Sequence, residues 1–378
     1  MAVFSQCMGL FGPKSKSYLG VDIGVGGAKL VELKNEKGRA RLVTYGFTER
    51  MPDVQPASLL DSPKECADLL RLITKKARTT TMQAVGSLPI ASVFSSVITV
   101  PKGTDKEIKE SIQWQARKLI PVPLEEMVLD SKVLTPPSDK DKAKLPGEKE
   151  KPPAPKDDKA VKTIQVLITG ASKAMVQKYV TVFKMAGLEL VSLETETFAL
   201  IRSLVGKDRS ATLIVDMGAA RTNIVIVENG VPFVNRSLDM GGSTFTKAIS
   251  RQLSMDLKGA EEMKCDIKSV STLYPGEGLP KIFETTVAPL VTELQYSINL
   301  YGSRIEGQPE KKIEKIILTG GASALPSLVD HFSRQLSMKV YVGDPWARVV
   351  YPEGLRSVLD EIGYRFSIAV GLAMRDIE

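Results

Sequence analysis

Two short stretches, Asp22-Ile23-Gly24 and Asp216-Met217-Gly218, each end an apolar run and lead into a turn of small residues. The first turn is Val25-Gly26-Gly27 and the second is Ala219-Ala220-Arg221. An apolar run resumes after each, with Lys29 just past the first turn and Thr222 and Asn223 just past the second. A glycine-rich hairpin exposes backbone N–H groups, and small side chains let anionic oxygens approach them closely. Two such hairpins facing each other would clamp a polyphosphate from both sides. Asp22 and Asp216 would then sit where carboxylates hold the water shell of a Mg2+ ion, and Lys29 would add a point positive charge. Gly241-Gly242 forms a further glycine turn. Gly320-Gly321-Ala322, ahead of a helical stretch, offers a third close backbone approach, at the adenosine end of a nucleotide. Both hairpins join strand to strand, whereas a Rossmann site or P-loop joins strand to helix, and neither GxGxxG nor GxxxxGK(S/T) occurs.

Other chemistries are poorly supplied. The cysteines, Cys7, Cys66 and Cys265, are far apart and form no CxxC pair, which argues against a zinc site or a disulfide framework and fits a reducing compartment. His331 is the single histidine and reads as structural or exposed. The formal charge of +7 first suggests nucleic acid, but lysines alternate with acids and no aromatic–basic face emerges. An anionic membrane surface or an acidic partner suits the charge better. No apolar run approaches the roughly 20 residues needed to span a bilayer. Residues 1–12 lack a basic flank and are too short for a signal peptide; they read as a docking or frayed segment.

The chain's 378 residues, 43% of them hydrophobic, exceed one ordinary core and imply two or more domains. Strand patterns cover 18–23, 28–33, 39–47 and 83–88, and a helical pattern covers 63–78. Residues 92–185 read as strand, helix capped by Thr104, strand, strand and helix, a compact βαββα subdomain. Within it, 135–163 is rich in Pro, Lys, Asp and Glu and is expected to be a disordered surface insertion. Strand 188–193 and helix 197–204 follow, and then strands 211–215 and 222–227 repeat the opening theme, an internal duplication. A helix over 288–301 should hold Pro289 in its first turn, because deeper it would break the helix. Strand 313–318 and a helix from about Pro326 complete the second half, and 368–374 closes it.

Two hairpins and a third glycine turn in this order resemble the actin, sugar-kinase and heat-shock chaperone ATPase superfamily, in which they are two phosphate loops and an adenosine loop. In Gly259-Ala260-Glu261-Glu262-Met263-Lys264 the chain is similar to the helix whose Glu and Lys embrace adenosine, which singles out Glu261 and Lys264. Residues 193–199 resemble the segment joining the halves. The resemblance makes Glu196 the water-orienting, catalytic acid, with Glu194 as runner-up. Gln113-Trp114-Gln115-Ala116 followed by Ile120-Pro121-Val122-Pro123 and Val128-Leu129-Asp130 resembles the inserted subdomain of the PilM family of type IV pilus assembly. The resemblance departs from the family pattern at Val25 and Gly27, where Ser is common, and at Arg221, which could neutralise phosphate or crowd it.

This resemblance implies an α/β, actin-like (ribonuclease H-like) duplicated fold with the βαββα subdomain inserted in the first half. Its expected parts are an N-terminal segment, 1–16; subdomain 1A, 17–89 with 187–206; subdomain 1C, 90–186; subdomain 2A, 207–245 with 313–378; and subdomain 2B, 246–312. It implies ATP and Mg2+ as cofactors, the ion held by Asp22 and Asp216 through water, with weak or no hydrolysis. Gly24, Gly26, Gly27, Lys29, Gly218, Thr222, Asn223, Gly241, Gly242, Gly320, Gly321 and Ala322 would contact the nucleotide. The partner it implies is the cytoplasmic tail of a PilN-like inner-membrane protein, gripped between the first domain and the inserted subdomain, with Ile120 and Pro121 as wall residues. The expected setting is the inner face of the cytoplasmic membrane, reached through this and other pilus assembly proteins, without nucleic acid. Two alternatives remain: a division actin of the FtsA kind, which usually carries a C-terminal amphipathic helix not expected after residue 378, and a metabolic kinase, for which the first half offers no general base.

Overall fold

The computed structural model describes residues 17–49, 58–134, 163–266, 281–303 and 311–377. The expected N-terminal segment and residues 135–162 of the insertion lie outside the described residues.

Aliphatic and β-branched runs build two large sheets. In the first, β1 (Ser17–Gly24), β2 (Gly27–Glu36) and β3 (Arg39–Phe47) form an antiparallel meander. Then β4 (Gln83–Leu88) joins β1 in parallel, and β8 (Glu189–Thr195) joins β4 in parallel. In the second, β9 (Thr212–Met217), β10 (Thr222–Glu228) and β11 (Val231–Leu238) repeat the meander. There β12 (Lys315–Thr319) and β13 (Val340–Val342) repeat the parallel steps. The spatial orders β3-β2-β1-β4-β8 and β11-β10-β9-β12-β13 match strand for strand. The duplication therefore covers whole sheets, not hairpins alone. A late strand, β14 (Val349–Val350), extends the edge of the first sheet beside β3.

A third sheet, in the order β5-β7-β6, comes from β5 (Val93–Pro101), β6 (Met127–Leu134) and β7 (Thr163–Ser172). Helix α2 (Asp105–Leu119) packs on it, begun by a Thr104–Glu107 capping box. The βαββα order is as expected, but its last helix is not spent on the small sheet. Tyr179, Val182 and Phe183 of α3 (Lys173–Ala186) pack with Cys66, Ala67 and Leu70 of α1 (Pro63–Ala77) in the core beneath β1 and β4.

Between the halves, α4 (Glu196–Leu200) runs into a π-type turn at Ile201–Val205, where one continuous helix was expected. Ala199 and Leu200 there pack with Ile214 and Val225 of the second sheet and with Ile368 and Leu372 of the closing helix. In the second half, α5 (Gly242–Leu253) and α6 (Leu257–Cys265) precede the long α7 (Lys281–Gly302). That helix begins seven residues before the expected 288, so Pro289 lies in its interior rather than its first turn. Phe283 and Val287 carry the apolar face back along the added turns and are fully buried, and this burial outweighs the lost N–H. His331, on α8 (Leu328–Leu336), is buried, and burial lowers its pKa. Two last helices, α9 (Arg356–Ile362) and α10 (Ser367–Ala373), close the chain. No helix among the described residues is long and apolar enough to cross a membrane.

Candidate functional site

Both hairpins come from the ends of central, buried strands, which fixes where their turns point. Gly24 pairs with Gly27 to close the first, and Met217 pairs with Thr222 to close the second, where Gly218 N–H donates to the Arg221 carbonyl at 2.8 Å. Gly27 holds a φ of +128°, and a Cβ there would stand 2.0 Å from the Thr48 carbonyl oxygen. No other residue fits that position. The turns face each other: a Cβ on Gly26 would lie 2.8 Å from the Cβ of Ala219. The third turn joins them, because Gly320, at φ +84°, sits where a Cβ would come 2.6 Å from Asp216 Oδ1.

Three carboxyl groups collect behind this junction. Asp22 and Asp216 are buried at 5% and 8% exposure, while Glu196, at the first position of α4, is partly exposed. Ser87 Oγ donates to Asp22 at 3.1 Å, and Lys29 Nζ stands 3.7 Å from the same carboxylate. Asn223 Nδ2 bridges Asp216 (3.3 Å) and Glu196 (3.1 Å), and Ser237 Oγ holds the Asn223 carbonyl at 2.9 Å. Glu196 also accepts the Ile90 N–H at 3.0 Å. Burial, then the charges of Asp22 and Asp216, push Glu196 up to about 8; burial and Asp22 push Asp216 up to about 6. Lys29 alone cannot offset such crowding. A divalent cation brought by phosphates would, and its water shell would reach these acids, since no group of three or more Asp, Glu, His or Cys among the described residues is arranged to ligate an ion directly. The donor chemistry thus suits a Mg2+–polyphosphate.

Several of the expected residues have duties within the protein. Glu194 is paired at 3.0 Å with both Arg202 and Arg375, outside the carboxyl cluster. The N–H groups of Gly242 and Ser243 donate to the carbonyls of Gly218 and Ala219 at 2.9 and 2.8 Å, so the start of α5 is docked on the second hairpin. Lys264 Nζ donates to Glu261 (2.6 Å), Thr246 Oγ1 (2.8 Å) and the Gly242 carbonyl (3.1 Å), which locks α6 to α5. Thr222 Oγ1 donates to the Met240 carbonyl. Arg221 pairs at 2.9 Å with exposed Asp239 on the rim. Gly321 is exposed and Ala322 buried beside it. Ile120, expected in the wall of the partner groove, is buried at 5% exposure and packs with Ile112, Ala116 and Ile168 in the core of the small subdomain, while its N–H closes the last turn of α2. Pro121 and Val122 are exposed, as are Trp114 and Val128. Ser87, Ile90 and Ser237 carried no motif; only the strand ends that deliver them could have marked them. Two surface hollows of about 570 Å3 each lie elsewhere among the described residues, one along α1 by Leu69 and Leu72 and one beside α5 by Asp239, Lys247 and Arg251.

Comparison with known proteins fits this geometry. A PilM–PilN type IV pilus biogenesis complex superposes with a TM-score of 0.77 at 27% identity, covering 97% of this chain and 100% of that one. The ethanolamine utilization protein EutJ of Carboxydothermus hydrogenoformans follows at 0.55 and 15% identity, a likeness of fold alone, over 97% and 91% of the two chains. The cell division protein FtsA of Neisseria meningitidis serogroup B is 24% identical over 225 residues, 54% of this chain and 52% of that protein. FtsA of Bacillus subtilis is 26% identical over 198 residues, 47% and 44% of the two. The chain thus spans about half the length of the curated relatives it matches. Its fold is actin-like. The model of the type IV pilus assembly protein PilM matches residues 20–145 and 153–377, and the chain belongs to that family.

Proposed function

We propose that the chain is an ATP-binding scaffold of type IV pilus assembly, holding the cytoplasmic tail of a PilN-like inner-membrane protein at the inner face of the membrane. The carrying observation is the meeting of Gly26 with Ala219 in front of Asp22, Asp216 and Glu196. Bound there, Mg-ATP would supply the positive charge that the three acids lack. Asp22 and Asp216 would hold the ion's water shell and Lys29, 3.7 Å from Asp22, would meet the phosphates, while Asn223 keeps Asp216 and Glu196 in register. Bound ATP would favour a closed arrangement of the halves and so adjust the surface that the tail grips. With Ile120 buried, Pro121 and Val122 take over the proposed wall.

Mg-ATP should raise the melting temperature of the wild type, and Asp22→Ala or Asp216→Ala should abolish the shift; thermal denaturation with and without nucleotide measures this. A peptide of the tail should be retained on the immobilised chain, and more of it with Mg-ATP. Absence of capture in both conditions would refute the scaffold reading. The FtsA matches support a second reading, a membrane-bound division actin. Nucleotide-dependent pelleting with anionic vesicles, without any partner, would favour it.

A further inference from the structure

Arg365 lies on the connection Gly363–Arg365 between α9 and α10. Its neighbour Tyr364 is tied to the third turn: the Tyr364 carbonyl accepts from Gly320 N–H at 2.8 Å and from Thr319 Oγ1 at 3.0 Å. From the other half, Arg365 Nη1 donates to Glu49, an ion pair flanked by the edge-on contact of Phe47 with Phe366. Glu49 follows Thr48, whose Oγ1 accepts the Ala28 N–H at 3.1 Å beside the first hairpin. On a third side lies Cys265, next to Lys264 at the end of α6; burial and Glu261 push its thiol up, and the Arg365 charge opposes part of that rise. A single planar cation therefore stands where the first hairpin's flank, the third turn and α6 converge. Its Nε is buried and has no hydrogen-bond partner. A buried donor without an acceptor signals a missing partner.

We propose that Arg365 is a further nucleotide-contacting residue, which reads the nucleoside end of the bound nucleotide with its planar guanidinium. The proposal rests on the ATP-binding reading above and adds a residue to it. Guanidinium is planar, always charged and weakly hydrated, so it stacks on a purine face and still donates sideways, which an ammonium cannot do. The competing role is a plain ion pair joining the halves. In that case both partners matter equally.

Calorimetric titration with Mg-ATP separates the two. Arg365→Ala and Arg365→Lys should each weaken binding about tenfold or more, a factor that corresponds to about 1.4 kcal/mol. Glu49→Gln should stay within about threefold of wild type. Melting temperatures without nucleotide test folding, and if Arg365→Ala does not fold, Arg365→Lys decides. Wild-type affinity in the arginine variants, or an equal loss in Glu49→Gln, overturns the proposal and leaves the ATP-binding reading standing. A wild type that binds no Mg-ATP overturns that reading, and this one with it.

Discussion

Glu196, Asp216 and Asp22 share a small volume, so their charges are felt in folding as well as in binding. The ordinary pKa of Glu196 is 4.5 and its folded value is about 8. Between those values the folded chain keeps a proton that the unfolded chain releases, so stability falls as pH rises through the window, by up to roughly 1.4 kcal/mol per pH unit, and levels off above it. Asp216 adds a loss of the same sign between 3.8 and about 6. Glu196→Gln mimics the protonated form and can still accept from Ile90 and Asn223. It should therefore match wild type near pH 4.5 and exceed it in stability at pH 8.5, as urea unfolding at both values would measure. Mg-ATP should shrink the wild-type loss, because the cation opposes the same charges. Parallel pH curves for the two proteins would mean that Glu196 titrates as an ordinary carboxyl. At this scale the sequence was informative for Asp22, Asp216 and the glycines, whose types announce close anion approach. It was silent on Ser87, Ile90 and Ser237, which reach the site only because the parallel pairing of β4 with β1 and the antiparallel pairing of β11 with β10 deliver them there.

Elements were legible where hydrophobic period and punctuation agreed. The strands β1 and β9 lie where apolar runs end in Asp-x-Gly, β2 and β10 lie where the runs resume after the turns, and α2 starts at the Thr104 cap. Strand β11 turns polar along its length, and β13 and β14, of three and two residues, are too short to show a period, so they take their shape from neighbours already in place. Helix α3 shows the limit from the other side: its spacing named a helix, but spacing does not say which sheet the apolar face will meet. Helix α7 reversed a local rule. Proline normally starts a helix, yet burial of Phe283 and Val287 extends this one past Pro289. The interior proline still forfeits one hydrogen bond and crowds the preceding turn. Pro289→Ala should therefore stabilise the protein by about 1–3 kcal/mol, read as a higher urea midpoint with an unchanged slope. A lower midpoint would mean that the ring's own packing beside Leu238 and Met240, in the hollow they line, outweighs the helix penalty.

Across the whole molecule, two duplicated halves touch at their hairpins and are joined where α4 meets α10. The junction is very close. A Cβ on Gly371 would stand 1.9 Å from the Ala199 carbonyl oxygen, and one on Gly20 would stand 1.9 Å from the Ala369 carbonyl oxygen. Backbone thus meets backbone at this crossing, and a small wedge there is carried outward to the hairpins, where Gly26 and Ala219 have no slack either. The crossing also has a charged brace, since Arg202 Nη1 donates to the Gly371 carbonyl at 2.6 Å while pairing with Glu194. Gly371→Ala should cost roughly 1–3 kcal/mol by overpacking. It should also cut the melting-temperature gain from Mg-ATP, because the halves can no longer close on the phosphates. Gly354 is the matched control: a Cβ there meets nothing within 4 Å, so Gly354→Ala should change neither quantity. A Gly371→Ala protein that is less stable yet gains as much from Mg-ATP as wild type would confine the crossing to holding the fold. Loss of both would make it the pivot on which closure turns.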